Sequence, residues 1–251
     1  DSLTSLTVSS SSTTGTVTLG TMVDADSLTS LTVNAANANV TTGAIGGTGT
    51  GEVLANVTAS ATGSSTASLG AITADTTNST TDLVMTMSLS AETGSTVTFG
   101  NITNTFGSIE ATATGDGAFN LGSDTAIISL ASGSFDLTAA TGTNVVNLVT
   151  TSGTTTVSLA SGQGSDTVNV GSGGLVSITN FETGAGGDEI GLDISDIGVI
   201  TTANNVDVAA GTASDIGEIS AAATTAAADN VMILTGANFA TAALAEAAIE
   251  N

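Results

Sequence analysis

The same octapeptide, DSLTSLTV, occupies residues 1–8 and residues 26–33. The two copies define a repeat of about 25 residues, and periods of roughly 20 to 50 residues are the sequence signature of stacked repeat architectures. A chain that reuses one short segment in this way is restricted to folds in which successive units stack on one another. The content of the repeat then decides which kind of stack forms.

Short runs in which apolar and polar residues alternate follow each octapeptide and end in glycine. Such runs predict short β-strands, and no helical periodicity separates them. The glycines that end these runs stand about 22 to 30 residues apart, at Gly20, Gly46, Gly70, Gly100 and Gly122. We therefore predict an all-β fold, a parallel β-solenoid over residues 1–200 with about 22–25 residues in each coil.

In a solenoid, equivalent apolar residues of successive coils lie above one another, roughly 4.8 Å apart. The predicted neighbours are Leu3 with Leu28, Leu6 with Leu31, Val8 with Val33, Val17 with Val40, and Leu19 with Ile45. The alternative fold is a β-sandwich, which also uses short Thr- and Val-rich strands separated by turns. A sandwich, however, does not need near-identical octapeptides one period apart.

The composition of the chain changes near residue 201. The segment VMILTG, residues 231–236, is typical of a buried strand, and residues 238–250 place Phe239, Leu244 and Ile249 at spacings close to one helical face. We therefore predict a small α/β cap over residues 201–251 that covers the last coil, because an uncovered strand edge invites association with other chains.

The chain has no Lys, Arg or His against 23 acidic residues, which gives a formal charge of −23. Such a surface cannot neutralise a phosphate backbone, so nucleic acid is excluded as a partner. No apolar run approaches the roughly 20 residues of a membrane-spanning helix, so we predict no membrane insertion. Because no side-chain cation is present, water, salt or bound metal must offset the repulsion between carboxylates.

A glycine-rich acidic motif, G-x-G-x-D-x-[VI], occurs as GQGSDTV at residues 162–168 and as GAGGDEI at residues 184–190. Its aspartates are Asp166 and Asp188, and weaker versions precede them at Asp124 and Asn144. These residues recur about every 22 residues, so in a solenoid they should form a column at the strand spacing. Calcium, which binds about six to eight hard oxygen ligands, would relieve the repulsion between stacked carboxylates.

The sequence therefore predicts a calcium site in these turns. Its candidate ligands are Asp166, Asp188, Asp124, Asn144, Gly162, Gly164, Gly184, Gly186, Asp193 and Asp196. The glycines would allow the backbone to turn its carbonyl oxygens inward. Glu182 and Glu189 are equally consistent with the site and with a solvated edge. The alternative to calcium is a turn aspartate that accepts hydrogen bonds from backbone amides two residues further on.

These turns resemble the glycine-rich nonapeptide repeats, G-G-x-G-x-D-x-U-x, of the RTX family. The resemblance covers residues from about 120 to 196, including ITNFETGAGGDEIGL, which is similar to the strand and turn that commonly follow RTX repeats. It implies bound calcium, export by type I secretion and a place outside the cell. The acidic, cysteine-free composition, rich in Thr, Ala, Val and Gly, is also similar to that of bacterial surface-layer proteins.

The residue types argue against catalysis. Without His, Cys, Lys, Arg or Tyr the chain lacks the usual bases, nucleophiles and cationic groups, so we expect a protein that is not an enzyme. We expect an extracellular structural protein, a calcium-stabilised building block that assembles with itself into a lattice or filament of a bacterial surface layer, fibre or matrix. The alternative is an RTX-type adhesin, a calcium-dependent module that binds a cell-surface glycan.

Overall fold

The computed structural model describes residues 3–22, 27–46, 54–73, 84–122, 128–151, 153–171, 175–182, 187–192, 216–219 and 231–234. Within these ranges every regular element is a strand and no helix occurs. The strands are β1 (Ser5–Ser10), β2 (Thr16–Leu19), β3 (Ser30–Ala36), β4 (Asn39–Thr42), β5 (Asn56–Thr62), β6 (Thr66–Leu69), β7 (Ile72–Thr73), β8 (Val84–Ala91), β9 (Thr96–Phe99), β10 (Ile102–Gly115), β11 (Ala118–Leu121), β12 (Ile128–Ala140), β13 (Asn144–Thr150), β14 (Thr154–Ser158), β15 (Thr167–Val170), β16 (Leu175–Thr179), β17 (Glu189–Leu192), β18 (Ile216–Ile219) and β19 (Val231–Leu234).

The chain divides into two compact units, residues 1–193 and residues 194–251. In the first unit each strand pairs in parallel with the equivalent strand of the next coil, which makes this unit a parallel β-solenoid. The predicted fold is confirmed. A β-sandwich is not formed, because the described pairings of this unit are parallel rather than antiparallel.

Three faces surround the core of the solenoid. Face 1 consists of β1, β3, β5, β8, the second halves of β10 and β12, β14 and β16. Face 2 consists of β2, β4, β6, β9, β11, β13, β15 and β17. Face 3 is narrow and contains bridges at Met22 and Ile45, then β7, the first residues of β10 and β12, and the end of β13.

The repeated octapeptide sets the register of face 1. Leu6 lies opposite Leu31 and Val8 opposite Val33, as predicted. The apolar column begun by Leu6 continues through buried side chains of every following coil as far as β14; its members are Leu31, Val57, Met87, Ala111, Phe135 and Val157. Full burial of each large member stabilises the fold by about 1.5–3 kcal/mol, which is why alternation along the strands specifies this register.

The predicted pairing of Leu19 with Ile45 is wrong. Leu19 pairs with Thr42, and Ile45 instead bridges Met22 on face 3. The glycine in register with Gly20 is therefore Gly43 rather than Gly46. The glycine spacing gave the wrong pairing because it treats each coil as two short runs. Each coil in fact has a third short run, which follows the corner after face 2.

Glycines are required where face 2 turns into face 3. The amide of Gly43 donates to the carbonyl of Leu19 at 2.7 Å, and the coils above repeat this bond through Gly70 and Gly100. A Cβ atom on Gly70 would lie 2.6 Å from the carbonyl carbon and oxygen of Gly43, which is closer than such atoms approach one another. The absence of side chains at this corner thus permits the coils to stack closely.

The second unit contains one described pairing, β18 with β19 in parallel. The predicted strand at residues 231–236 corresponds to β19, Val231–Leu234. The predicted helix at residues 238–250 lies outside the described residues, and the capping role stays a prediction.

Candidate metal site and polar column

Asn144, Asp166 and Asp188 form a polar column on the inner side of face 2. Val145 pairs with Thr167 and Thr167 pairs with Glu189, so the residues that directly precede these three in the chain are also in register. The predicted stacking of these three residues is confirmed. The same inward position in the earlier coils holds apolar side chains, namely Val40, Ala67, Val97 and Phe119. The polar column therefore extends a column of the hydrophobic core.

The fourth predicted member of the column is not in this register. Asn144 pairs with Phe119, so an aromatic residue occupies the place below it that the spacing assigned to Asp124. Asp124 lies outside the described residues, as do Gly184, Gly186, Asp193 and Asp196. Whether those residues bind calcium stays a prediction.

Each side chain of the polar column accepts a hydrogen bond from the backbone of the coil before it. Asn144 Oδ1 accepts from the amide of Phe119 at 3.3 Å, and Asp166 Oδ1 accepts from the amide of Asn144 at 2.9 Å. Asp188 Oδ1 accepts from the amide of Asp166 at 3.0 Å. Buried backbone amides need hydrogen-bond acceptors, and each of these side chains supplies one to an amide near the start of a strand in the neighbouring coil. The bonds of Asp166 and Asp188 do not follow the pattern of an ordinary turn aspartate, which bonds two residues further on.

The amide group of Asn144 is fully used. Its Nδ2 lies 3.0 Å from each of three acceptors, the carbonyls of Ala140 and Gly142 and Asp166 Oδ1. Asn144 is buried, so these bonds offset the cost of removing a polar side chain from water.

Asp166 differs from Asn144 because half of its carboxyl group has no partner. The residue is 1% exposed, and no described residue forms a hydrogen bond with Oδ2. A buried oxygen without a partner costs about 1–3 kcal/mol, and more when it is charged. With no cationic side chain in the chain, only a proton or a cation from solution can neutralise this carboxyl group.

Burial raises the pKa of Asp166 from an ordinary value of 3.8 to about 6. The negative charge of Asp188 raises this pKa further, whereas the hydrogen bonds from the backbone and side chain of Asn144 lower it. Above pH 6 the protein therefore carries a buried carboxylate with one oxygen unpaired.

Asp188 and Glu182 hold the turns around Asp166. Asp188 Oδ2 accepts from the amide of Glu182 at 2.8 Å, and Glu182 Oε1 accepts from the amide of Gly162 in the turn one coil earlier. Both side chains are half-buried. Glu189 is exposed and pairs through its backbone with Thr167, so it belongs to the solvated side of the strand.

Gly162 and Gly164 shape the turn before Asp166. Both adopt left-handed backbone conformations, with φ of 71° and 76°, which residues with a Cβ atom disfavour. A Cβ atom on Gly164 would also lie 2.6 Å from the carbonyl oxygen of Gly142, since the two turns stack directly. These glycines are explained by backbone geometry and close stacking, and their predicted role as calcium ligands stays a prediction.

Within the described ranges, no group of three or more acidic side chains is close enough to hold a metal ion. The donors present are instead one unpartnered oxygen, Asp166 Oδ2, and the carboxylate of Asp188, whose oxygens each accept one hydrogen bond and retain further lone pairs. A calcium ion could bind this pair only with further oxygen ligands such as carbonyls or water, as calcium commonly does.

Two further polar pairs, one buried and one partly buried, were not recognised from the sequence. Thr150 and Thr155 share a hydrogen bond of 2.7 Å between their hydroxyl groups, and both are buried. Asn169 Nδ2 donates to Asn147 Oδ1 at 2.6 Å, one coil apart. The 22-residue spacing of Asn147 and Asn169 equals that of the polar column, and this signal could have identified the asparagine pair.

The fold and the polar column define a parallel β-solenoid whose core becomes polar in its later coils. Comparison with protein families, with curated proteins and with solved structures found no match to this chain. Among the residues that the structure describes, no helix has the length and apolar character needed to cross a membrane.

Proposed function

We propose that this chain is a calcium-stabilised structural module of a bacterial cell exterior, a building block of a surface layer, fibre or matrix. The observation that carries the proposal is Asp166 Oδ2, a buried oxygen without a partner. A carboxylate in this position lowers stability unless a cation compensates it. Asp188, one coil away and half-buried, gives such a cation a second carboxylate.

Calcium is the cation that best suits these donors. Carboxylate and carbonyl oxygens are hard ligands, and the chain offers no imidazole or thiolate to select a softer metal. The likeness of GQGSDTV and GAGGDEI to RTX turns supports the same choice. Calcium also accumulates outside cells, where weak sites can be filled.

A structural role suits the remaining features. The solenoid repeats one unit along an axis, and its described surface is dominated by small polar residues rather than by reactive groups. A chain with a net charge of −23 and no cationic side chain repels its own copies, so divalent cations would permit assembly. Calcium would therefore act both on folding at Asp166 and on contacts between acidic surfaces.

Electron microscopy of the purified chain at pH 7.5 tests the proposal. Calcium should produce sheets or filaments that disappear when a chelator is added, whereas the same concentration of magnesium should not, because magnesium gives up its hydration water reluctantly. Dispersed particles in calcium would contradict assembly. Dispersed particles that bind a glycan or a cell surface in calcium would favour the adhesin alternative instead.

A further inference from the structure

The outward side of face 2 carries an ordered set of hydroxyl groups over its first four strands. The strand sequences TVTL, NVTT, TASL and TVTF belong to β2, β4, β6 and β9, and each places two polar residues outward. We call these eight outward residues the hydroxyl array. Six of them are threonines and one is Ser68; the eighth, Asn39, has no hydroxyl group, and its Oδ1 accepts a hydrogen bond from the amide of Thr66 at 2.9 Å.

The array is aligned in two directions. Thr18, Thr41, Ser68 and Thr98 follow one another in register from coil to coil. Successive coils lie about 4.8 Å apart, and the two outward residues of one strand lie about 6.7 Å apart. In-register side-chain ladders of this kind favour a flat sheet. At these general strand spacings the outward residues would repeat on a roughly rectangular grid, whose repeats are of the same order as the a- and c-axis repeats of hexagonal ice.

The chemistry of the array argues against two other classes of crystalline partner, minerals and polysaccharides. It contains no carboxylate, although the chain has 23, so it has no group that would bind the cations of a mineral surface. A crystalline polysaccharide is usually bound by stacking of aromatic rings, and the chain has no Trp or Tyr. Neutral hydroxyl groups interleaved with threonine methyl groups are suited to holding a layer of ordered water.

We propose that the hydroxyl array binds the surface of ice. Each outward hydroxyl group would hold a water molecule at a lattice position, and the aligned waters would join the growing crystal face. The inference goes beyond the structural role proposed above and does not depend on calcium binding at Asp166.

The proposal is tested by observing single ice crystals in a solution of the whole chain, in calcium-containing buffer. The protein should shape the crystals into facets and separate their freezing and melting temperatures. Thr41→Lys, in the middle of the array, should abolish both effects because a long charged side chain disrupts the lattice. Ser134→Lys is the matched control, since Ser134 is exposed on face 1 opposite Glu110, where a carboxylate interrupts the hydroxyl ladder, and it should leave both effects unchanged.

Circular dichroism and urea unfolding of both variants verify that they fold. Rounded crystals with coincident freezing and melting temperatures in the unmodified chain would overturn the proposal. Equal loss of ice shaping in Thr41→Lys and Ser134→Lys would overturn the assignment to face 2. A change in oligomeric state with Thr41→Lys, without ice shaping by the unmodified chain, would identify the array as a contact between copies and would also overturn the proposal.

Discussion

Replacing Asp166 with asparagine should stabilise the metal-free protein above pH 6. The chain itself carries asparagine at the equivalent place one coil earlier, where Asn144 Nδ2 donates to the carbonyl of Gly142. Gly164 stacks on Gly142, and it lies two residues before Asp166 just as Gly142 lies two residues before Asn144. An asparagine at 166 is therefore expected to find an acceptor for its amide group and to keep the bond that Oδ1 receives from Asn144.

The expected gain follows from the raised pKa. An aspartate in the unfolded chain has a pKa near 3.9, and burial raises that of Asp166 to about 6. The native state thus holds this proton more tightly than the unfolded state does, so the stabilisation is fully present below about pH 4 and is lost as pH rises through about 6. A rise of about two pKa units corresponds to about 3 kcal/mol, which the asparagine variant should recover at pH 7.5.

Urea unfolding in a chelating buffer at several pH values between 4 and 7.5 measures this difference. The gap in unfolding free energy between Asp166→Asn and the unmodified chain should widen with pH through the window from 4 to 6. Asp136→Asn is a control of opposite sign, since the hydroxyl and amide of Thr138 lower the pKa of Asp136. A gap that is equal at pH 4 and pH 7.5, or a variant that is less stable at pH 7.5, would refute the account of Asp166.

Two further predictions concern packing and can be measured by urea unfolding. Gly70→Ala should destabilise the solenoid by about 1–3 kcal/mol because its Cβ atom would meet the backbone of Gly43. Gly20→Ala is the control: a Cβ atom there would have no other atom within 4 Å, so stability should change by less than about 0.5 kcal/mol. Equal effects of the two substitutions would argue against close stacking at the corner. Thr150→Val should lower the free energy of unfolding by about 1–3 kcal/mol because it leaves the buried hydroxyl of Thr155 without its partner. Adding Thr155→Val to that variant should lower it little further. Additive losses would show that the two hydroxyl groups act independently.

The sequence predicted the register wherever its repeats were nearly identical. The octapeptides placed Leu6 on Leu31, and the 22-residue spacing placed Asn144, Asp166 and Asp188 in one column. Both predictions succeeded because a shift by one residue would turn every apolar side chain outward.

Other features could not be obtained from spacing alone. The distance between residues paired in register in neighbouring coils of the solenoid ranges from 20 residues for Ile128 and Leu148 to 30 for Thr66 and Thr96, since the turns differ in length. This variation moved Ile45 to face 3 and put Phe119, not Asp124, below Asn144. Spacing also does not tell which side of a strand faces the core. It therefore could not predict that the polar column points inward or that one oxygen of the column has no partner.

Calcium-dependent stability at pH 7.5 is the most direct test of a calcium-stabilised fold. Unfolding free energies of the unmodified chain and of Asp166→Asn are compared in a chelator and across a calcium titration. A ligand at about 100 times its dissociation constant stabilises the state that binds it by about 2.7 kcal/mol. The account predicts a gain of this order for the unmodified chain and no gain for Asp166→Asn. Equal stability of the unmodified chain in chelator and in calcium, or an equal gain in both proteins, would contradict it.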